Sequence, residues 1–529
     1  MKVDKLIITN RAALKKKYKE KFSVITDLLK KIVAADKKRG LNSKIAFVDE
    51  PGTMKPVKGK IVTSIKNEKQ NKEAIDALYK FYTSDYLMIF GSSDVIPFQN
   101  LTNDNFLATM SNADSDDDDG EEFVESDLPY ASDNKYSKKT SDFTNPSRVI
   151  GRLPDLLEIA NIKYFTQVVN NSINWKPLKS MPQSYFALSA AFWNQITNRI
   201  LKESLKTTMK SQVSPPRREN NWKKNELSKR LHLYNCHGGQ GDNCFYGQKN
   251  EMSDAEPSAI SSLDINKKIS KGTVVVAECC FGGEQYPPKV NPMGICSSFL
   301  FNGAIGFVGS STSAFGAVNG DKKMYNADLI ALYFFQHLAT GASLGRAFLE
   351  TRQEFLRKND QPDPLDLKTI AQFYLLGDPS NHLWLQPSRA TPKSKKGRDR
   401  SGSVAMHRKS IRIELTLKSV SLENRVCTLK KKTSPVQPRL KKEISSILKE
   451  FQMPAASKGK VFEVQLPAQI KKLSKKKAIG KKNNMNIKYH LYGIQKRSSR
   501  KNPVIRIKRI LVLRELNGDI IDKKMVESK

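Results

Sequence analysis

The hydrophobic positions of the chain form short, unbroken runs that alternate with longer stretches of helical period, from Lys5 to about Trp384. The short runs are rich in β-branched residues and apolar almost throughout, which is typical of strands covered on both faces of a sheet. Predicted strands are 5–9, 44–48, 86–90, 185–189, 231–235, 273–277 and 304–308, and predicted helices are 12–35, 72–82, 156–170 and 327–338 with a continuation past Gly341 to Arg357. The alternation predicts an α/β fold with a mainly parallel sheet.

The pattern changes after Trp384, where a polar and basic linker begins. The elements predicted beyond it are a strand at 411–417, a helix at 440–451 and a hairpin at 504–526 around Asn517-Gly518, a pair that favours a type I′ turn. The predicted parts are an α/β domain over 1–386, the linker over 387–407 and a small basic α+β domain over 408–529. A disordered tail is the alternative for the last part, because residues 471–482 are rich in lysine.

The amino-acid composition gives the chain a strongly positive net charge. The chain has 529 residues, 39% of them hydrophobic, which allows about two to four domains and a core of enzyme size. Between Arg389 and Lys529 there are 39 Lys and Arg against 10 Asp and Glu, so this part carries +29 of the formal net charge of +37. Such an excess can neutralise several phosphates, so a nucleic acid or an acidic protein is a candidate partner. A soluble basic domain without such a partner is the alternative, because aromatic residues that stack on bases are sparse there.

The chain shows no sign of a membrane segment or of a disulfide scaffold. No apolar run approaches the roughly 18 residues of a membrane helix, and the N-terminus lacks the apolar core of a signal peptide. A cytoplasmic location is therefore expected. There are only six cysteines, but five of them, Cys236, Cys244, Cys279, Cys280 and Cys296, cluster in one stretch of the chain. This clustering indicates chemistry rather than a disulfide framework.

Two predicted strands end on residues of catalytic type. The run LHLYNCHGG (231–239) ends on His237 and two glycines, and TVVVAECCFGG (273–283) ends on two cysteines and two glycines. The carboxyl ends of parallel strands share one edge of a sheet, where ligands bind, so His237 and Cys280 are expected to lie together. A thiol is only slightly ionised at neutral pH, and a neighbouring imidazole can take its proton and later return it to a leaving amine. The glycines allow close approach of a substrate, and backbone N–H groups there can bind an oxyanion.

These segments, in this order, resemble the gingipain-like branch of the caspase-fold cysteine peptidases, in which one strand ends in His-Gly and a later one in the nucleophilic cysteine. Further matching stretches are YLMIFGSSDVIP (86–97), 127–130, VIGRLP (149–154), 303–311 and LLGDPS (375–380). The resemblance spans about residues 5–385. It implies a caspase-like three-layer α/β sandwich and a cysteine endopeptidase, a thiol protease that hydrolyses protein or peptide substrates without a redox or nucleotide cofactor.

The resemblance also implies roles for single residues. His237 matches the general base and Cys280 the nucleophile, with Cys279 as the alternative nucleophile. The N–H groups of Gly238 and Cys280 match the oxyanion hole. The family places a carboxylate after the strand that here reads YFALSAAFW (185–193), and this chain has none there, so a Cys–His dyad is expected. The acidic residue that gives gingipains their preference for a basic side chain has no match, which leaves the substrate side chain open.

Three other interpretations stay open. A catalytically inactive scaffold would keep the fold without the reaction, and the missing carboxylate is consistent with it. The cysteine cluster offers zinc ligands, but its close neighbours are adjacent or seven apart, unlike the spacing of two to four in structural zinc sites. The acidic loop 112–125 lacks the anchor residues of an EF-hand. Calcium bound by its carboxylates is a candidate cofactor, whereas a solvated loop, or one paired with the basic tail, needs no ion.

Overall fold

The computed structural model describes residues 2–103, 121–250, 253, 257–288, 293–318, 320–321, 323–359, 361–385, 428–432, 436, 438–451, 453, 459–465, 487–497 and 506–529. The predicted linker, the predicted strand 411–417, the lysine-rich run 471–482 and most of the acidic loop lie outside the described residues. Among the described residues, no helix combines the length and the apolar character needed to cross a membrane.

The strands are β1 (Lys5–Thr9), β2 (Ser43–Phe47), β3 (Tyr86–Phe90), β4 (Gln99–Thr102), β5 (Phe123–Ser126), β6 (Ile150–Leu153), β7 (Phe186–Ala190), β8 (Gln212–Ser214), β9 (Leu231–Asn235), β10 (His237–Gly238), β11 (Cys244–Tyr246), β12 (Ser258–Ser261), β13 (Thr273–Ala277), β14 (Ala304–Ser310), β15 (Phe315–Ala317), β16 (Phe373–Gly377), β17 (Thr428–Lys432), β18 (Gly459–Gln465), β19 (Ile487–Arg497), β20 (Arg506–Leu516) and β21 (Asp519–Ser528). The α-helices are α1 (Arg11–Tyr18), α2 (Phe22–Lys38), α3 (Pro51–Met54), α4 (Glu68–Tyr82), α5 (Ile162–Ile173), α6 (Asn194–Leu205), α7 (Lys224–Leu227), α8 (Ser262–Ile265), α9 (Ile295–Asn302), α10 (Ala327–Ala339), α11 (Leu344–Lys358), α12 (Pro364–Gln372) and α13 (Pro438–Glu450).

Ten strands form one sheet in the order β2-β1-β3-β6-β16-β14-β13-β9-β7-β8. Neighbouring strands are parallel except at the centre, where β16 and β14 pair antiparallel. The sheet is therefore built from two parallel halves that run in opposite directions. Alternate residues of β13 enter different cores, since Val275 packs with α2, α5 and α9 on one face while Val274 and Val276 pack with α6, α10 and α11 on the other. The predicted three-layer α/β sandwich with a mainly parallel sheet is confirmed.

Local chemistry explains where the predictions and the structure differ. All seven strands predicted for the α/β part are present within two residues of their predicted bounds, whereas β6 and β8 of the same sheet are not among the predicted strands. The predictions omit β16, because α12 ends at Gln372 and the strand begins at Phe373 with no turn residue between them. The predicted helix 12–35 is two helices, because Lys19 adopts a positive φ of 47° and ends α1.

The C-terminal region forms a second, antiparallel sheet in the order β15-β21-β20-β19-β18-β17. The predicted hairpin joins β20 to β21, and Asn517 and Gly518 both have positive φ, as a type I′ turn requires. Helix α13 covers this sheet with Leu440, Ile444 and Ile447. Strand β15 comes from the α/β part of the chain, so the two parts share this sheet. The domain boundaries drawn from the sequence stay a prediction.

Candidate active site

Strands β9 and β13 are parallel neighbours in the sheet. His237 follows the carboxyl end of β9, and Cys280 follows that of β13. The N–H of Glu278 donates to the carbonyl oxygen of Tyr234 at 2.9 Å, so the pairing extends into both segments. Gly238 then lies directly against Cys280, because a Cβ atom at Gly238 would overlap the Cys280 carbonyl oxygen. Only glycine permits this approach. The structure therefore brings the histidine and cysteine segments to one edge of the sheet.

The imidazole of His237 is buried and held in one orientation. Its Nε2 lies 2.9 Å from Oε1 of Gln248, and its centroid lies 4.5 Å from that of the Trp193 ring. The Gln248 amide donates through its own Nε2 to the carbonyl of Ser253 at 3.1 Å, which leaves Oε1 as the acceptor. Nε2 of His237 therefore carries the proton, and Nδ1 is the basic nitrogen. Burial lowers the pKa of His237 to about 4, against the Gln248 hydrogen bond and with the help of the Lys529 charge, so the ring is neutral at pH 7.

The two adjacent cysteines have different surroundings. The Cys279 thiol is fully buried in the core beneath the sheet edge, 3.8 Å from the carbonyl oxygen of Tyr234. Burial raises the pKa of that thiol well above its usual value, so it stays protonated. Cys280 is the more exposed of the two, and its Sγ lies 3.4 Å from the carbonyl oxygen of Ala314. The two thiols therefore differ in depth, with Cys280 closer to the surface of the sheet edge.

A stretch of the protein's own chain lies across this edge of the sheet. Strand β21 pairs antiparallel with β15, with Ser528 opposite Phe315, and the N–H of Lys529 donates to the carbonyl of Ala314 at 2.9 Å. The carbonyl oxygen of Lys529 accepts a hydrogen bond of 2.7 Å from the N–H of Cys280. The carbonyl oxygen of Lys529 thus lies at an N–H group that could serve as an oxyanion-hole donor for a reacting carbonyl.

The side chain of Lys529 fills an acidic pocket. Its Nζ pairs with Oδ1 of Asp328 and, at 3.1 Å, with Oε2 of Glu278, and all three side chains are fully buried. Nζ also lies 5.2 Å from the centroid of the Trp193 ring, within the range of a cation–π contact. Gly316 makes room for the lysine stem, because a Cβ atom there would overlap Cε of Lys529. The pocket therefore matches a long, positively charged side chain in both shape and charge.

The pocket holds two carboxyl groups against one ammonium group. Burial, opposed by the charge of Lys529 and reinforced by that of Asp328, raises the pKa of Glu278 to about 8. Burial acts to lower the pKa of Lys529, but Asp328 and Glu278 outweigh it and the pKa is raised. The raised pKa favours the protonated form of Glu278. Asp328 is the better placed of the two carboxyl groups to face the ammonium group as an anion, because its Oδ2 also accepts hydrogen bonds from the N–H groups of Ala317 and Tyr325.

Sequence reasoning missed the residues that reach this site from other elements. Gln248 follows His237 by 11 residues in a loop and belongs to no recognisable motif. Trp193 follows β7 and looks like an ordinary core aromatic. Asp328 could have been noticed in the sequence, because it is the lone acidic residue in a mostly apolar helix, ADLIALYFFQHLA. Glu278 lies in the segment TVVVAECCFGG, but nothing in the sequence marks it as a residue of the lysine pocket.

Metal ligands are not assembled here. Within the described ranges, no group of three or more His, Cys, Asp or Glu side chains is placed to hold a metal ion. The zinc alternative gains no support, since Cys279 contacts the Tyr234 carbonyl and Cys296 that of Glu284 at 3.3 Å. Residues 104–120, which contain most of the acidic loop, lie outside the described residues, so calcium binding stays a prediction.

A sheet of two opposed parallel halves, with a histidine and a cysteine beyond the ends of two adjacent strands, defines an α/β protein with a cysteine–histidine site. The chain belongs to peptidase family C25, whose model matches residues 2–384. This match confirms the resemblance to the gingipain-like peptidases and covers nearly all of the predicted α/β domain. None of the curated protein sequences compared with the chain is a significant match.

Similar solved structures include three peptidases. A crystal structure of the Arg-specific cysteine proteinase gingipain R (RgpB) is 9% identical, with a TM-score of 0.47 over 99% of this chain and 97% of that one. The complex of the pro- and mature domains of RgpB from Porphyromonas gingivalis is 10% identical, with a TM-score of 0.46 over 98% of this chain and 99% of that one. A structure named only as a protease is 12% identical, with a TM-score of 0.47 over 99% and 97% of the two chains.

Proposed function

We propose that this protein is a cysteine endopeptidase that cleaves peptide bonds after lysine. One observation carries the proposal, namely that the carbonyl of Lys529 rests on the N–H of Cys280 while its side chain fills the pocket of Glu278 and Asp328. A peptide segment thus already lies in the site in the manner of a substrate. Membership of peptidase family C25 supports the reaction class.

The proposed reaction uses the cysteine and the histidine in two steps. Sγ of Cys280 attacks the carbonyl carbon of the scissile bond while its proton passes to Nδ1 of His237. The N–H groups of Cys280 and Gly238 hold the oxygen that becomes negative. The C–N bond then breaks, His237 gives the proton to the leaving amine, and a thioester remains. Water, deprotonated by His237, attacks the thioester and releases a carboxylic acid and the free thiol.

The surroundings of the catalytic pair support the choice of residues. Cys280 is favoured over Cys279 as the nucleophile, because the Cys279 thiol is buried in the core with its pKa raised well above the usual value. Gln248 is a positioning residue, since its Oε1 accepts a hydrogen bond from Nε2–H of His237 and leaves Nδ1 as the base. An amide can orient a histidine in this way, although a carboxylate would also stabilise the imidazolium form.

The experiment is a hydrolysis assay with fluorogenic peptides that end in lysine or in leucine before the coumarin group. Wild type, Lys529→Ala, Cys280→Ala and Cys279→Ala are compared. We expect lysine peptides to be cleaved by at least one of the first two proteins, retained cleavage in Cys279→Ala, and no cleavage in Cys280→Ala. Hydrolysis by Cys280→Ala, or none by any of the proteins, would contradict the proposal, and the second result would favour the inactive scaffold.

Other predictions made from the sequence are unaffected by this proposal. No contact among the described residues adds support for a nucleic acid or another polyanion at the basic C-terminal region, so that partner stays a prediction. The cytoplasmic location also stays a prediction. A protein or peptide substrate is what membership of a peptidase family implies.

A further inference from the structure

The cleft of the proposed peptidase is occupied by the protein's own strand β21 and by Lys529. We infer that residues 525–529 are an intramolecular inhibitor, a substrate-like segment that must leave the cleft before a protein substrate can enter. The inference rests on the proposed function, because it concerns the regulation of the same site. It also assigns a purpose to the C-terminal sheet, which presents this segment to the cleft.

The backbone of the segment makes the contacts that a bound substrate would need. Extended peptides commonly bind by adding a strand to the edge of a sheet. Strand β15 provides such an edge, and β21 pairs with all three of its residues. The hydrogen bonds of Lys529 to Ala314 and to the N–H of Cys280 continue the pairing up to the proposed nucleophile. A second peptide cannot use the same backbone groups while the segment is in place.

The ion pairs of the Lys529 side chain stabilise the segment in the cleft. Nζ of Lys529 is fully buried with Glu278 and Asp328, so withdrawal of the segment would leave two carboxyl groups in the pocket without their ammonium partner. Removing one partner of a buried ion pair is strongly unfavourable unless water or another cation replaces it. The segment is also tethered to the protein, so its effective concentration at the pocket is high. A lysine-containing substrate therefore has to compete with Lys529.

The rest of the C-terminal sheet holds the segment close to the cleft. Lys524, on the same strand, pairs with Asp363 at 2.8 Å and with Asp366 at 3.0 Å at the start of helix α12. The hydroxyl of Tyr489 on β19 donates to the carbonyl of Gln361 at 2.6 Å. These contacts attach the sheet to the α/β part independently of Lys529. Opening of the cleft therefore requires that the last residues of β21 separate from the three-residue strand β15 and that Lys529 leave its pocket.

The test compares Lys529→Ala with Lys523→Ala, which removes one lysine from the same strand at a distance from the cleft. Lys523 pairs with Glu450 through partly exposed side chains. The substrate is the coumarin amide of Val-Glu-Ser-Lys, the sequence of residues 526–529. We expect kcat/KM of Lys529→Ala to exceed that of wild type by roughly tenfold or more, because the competent fraction of the protein rises. Lys523→Ala should stay within about twofold of wild type, as expected for an exposed ion pair.

Two further measurements extend the test, and the second of them uses wild type and so does not depend on how well Lys529→Ala folds. A synthetic peptide of residues 525–529 should inhibit Lys529→Ala competitively, whereas the same peptide with alanine at its last position should not. In wild type, alkylation of Cys280 by a lysine chloromethyl ketone should displace the segment. Hydrogen exchange of the amides of residues 526–529 should then become faster, while the amides of β19 stay protected.

The possible results separate the inhibitor from the peptidase. Equal kcat/KM in wild type and Lys529→Ala, with activity lost in Cys280→Ala, would overturn the inhibitor and leave the peptidase standing. Unchanged exchange of residues 526–529 after complete labelling of Cys280 would overturn it as well. Absence of both hydrolysis and labelling in every protein would refute the proposed function, and the inference with it.

Discussion

Removing the negative charge of Asp328 should abolish the preference for lysine, whereas removing that of Glu278 should have little effect at neutral pH. Both carboxyl groups face Nζ of Lys529 in a fully buried pocket. Burial raises the pKa of Glu278 to about 8, against the charge of Lys529 and with the help of Asp328. The Glu278 carboxyl therefore favours its neutral form at neutral pH, whereas Asp328, which accepts hydrogen bonds from two backbone N–H groups, is placed to balance the charge of a bound lysine.

The expected magnitude follows from this division of charge. Asp328→Asn leaves a buried ammonium without a counter-charge, and removing one partner of a buried ion pair costs about 3–5 kcal/mol. That range corresponds to a fall of roughly a hundredfold to several thousandfold in kcat/KM for lysine peptides. Glu278→Gln replaces one neutral group with another at pH 7, which costs about 1 kcal/mol for an altered hydrogen bond. At higher pH Glu278 ionises when a lysine side chain occupies the pocket, because that charge lowers the pKa of the carboxyl, so the loss caused by Glu278→Gln should increase.

The assay measures kcat/KM at pH 7 and pH 9 in the Lys529→Ala background, which removes the intramolecular competitor. Each variant is tested on paired substrates that have lysine or the uncharged norleucine before the scissile bond. Asp328 also accepts hydrogen bonds from the N–H groups of Ala317 at 2.8 Å and Tyr325 at 3.0 Å, so its replacement could disturb the local structure. The norleucine substrate is the control for such structural damage. Equal losses in the two variants at pH 7, or an equal loss for both substrates in Asp328→Asn, would refute the reasoning.

Three further predictions concern the same site. Gln248→Ala should lower kcat by roughly tenfold to a hundredfold with little change in KM, because the ring of His237 loses its orienting acceptor. Gln248→Glu should restore most of the rate. An unchanged kcat in Gln248→Ala would contradict the positioning role of Gln248. Gly316→Val should block the lysine pocket, so hydrolysis of lysine peptides should fall while a glycine substrate is still cleaved, and equal losses on both would indicate a misfolded cleft. Burial lowers the pKa of His237 to about 4, and the charge of Lys529 contributes. Because the base must be neutral to act, rates should fall only as the pH drops toward 4, and Lys529→Ala should move this acid limb to higher pH; an unmoved limb in the pH profile would contradict the assigned electrostatics.

Much of the sheet and the two segments that carry the reaction could be predicted from local patterns. Strands β9 and β13 are buried throughout and rich in apolar residues, and each is soon followed by histidine or cysteine and then glycine, so their ends are visible in the sequence. Their parallel pairing is the usual outcome of a long crossover between two strands of one α/β sheet. The edge shared by His237 and Cys280 was therefore predictable. The different surroundings of Cys279 and Cys280 were not, because they depend on which side chain enters the core beneath the edge.

The sequence by itself determined an α/β chain with a cysteine and a histidine at one edge of a sheet, followed by a basic C-terminal region. It could not show which of the 39 basic residues after Trp384 lies at the site, since a count of charges does not distinguish one basic residue from another. Only the pairing of β21 with β15 carries Lys529 to Glu278, a residue 251 positions away in the chain. Contacts between such distant residues depend on the packing of whole sheets and helices, and no local period of the sequence encodes them.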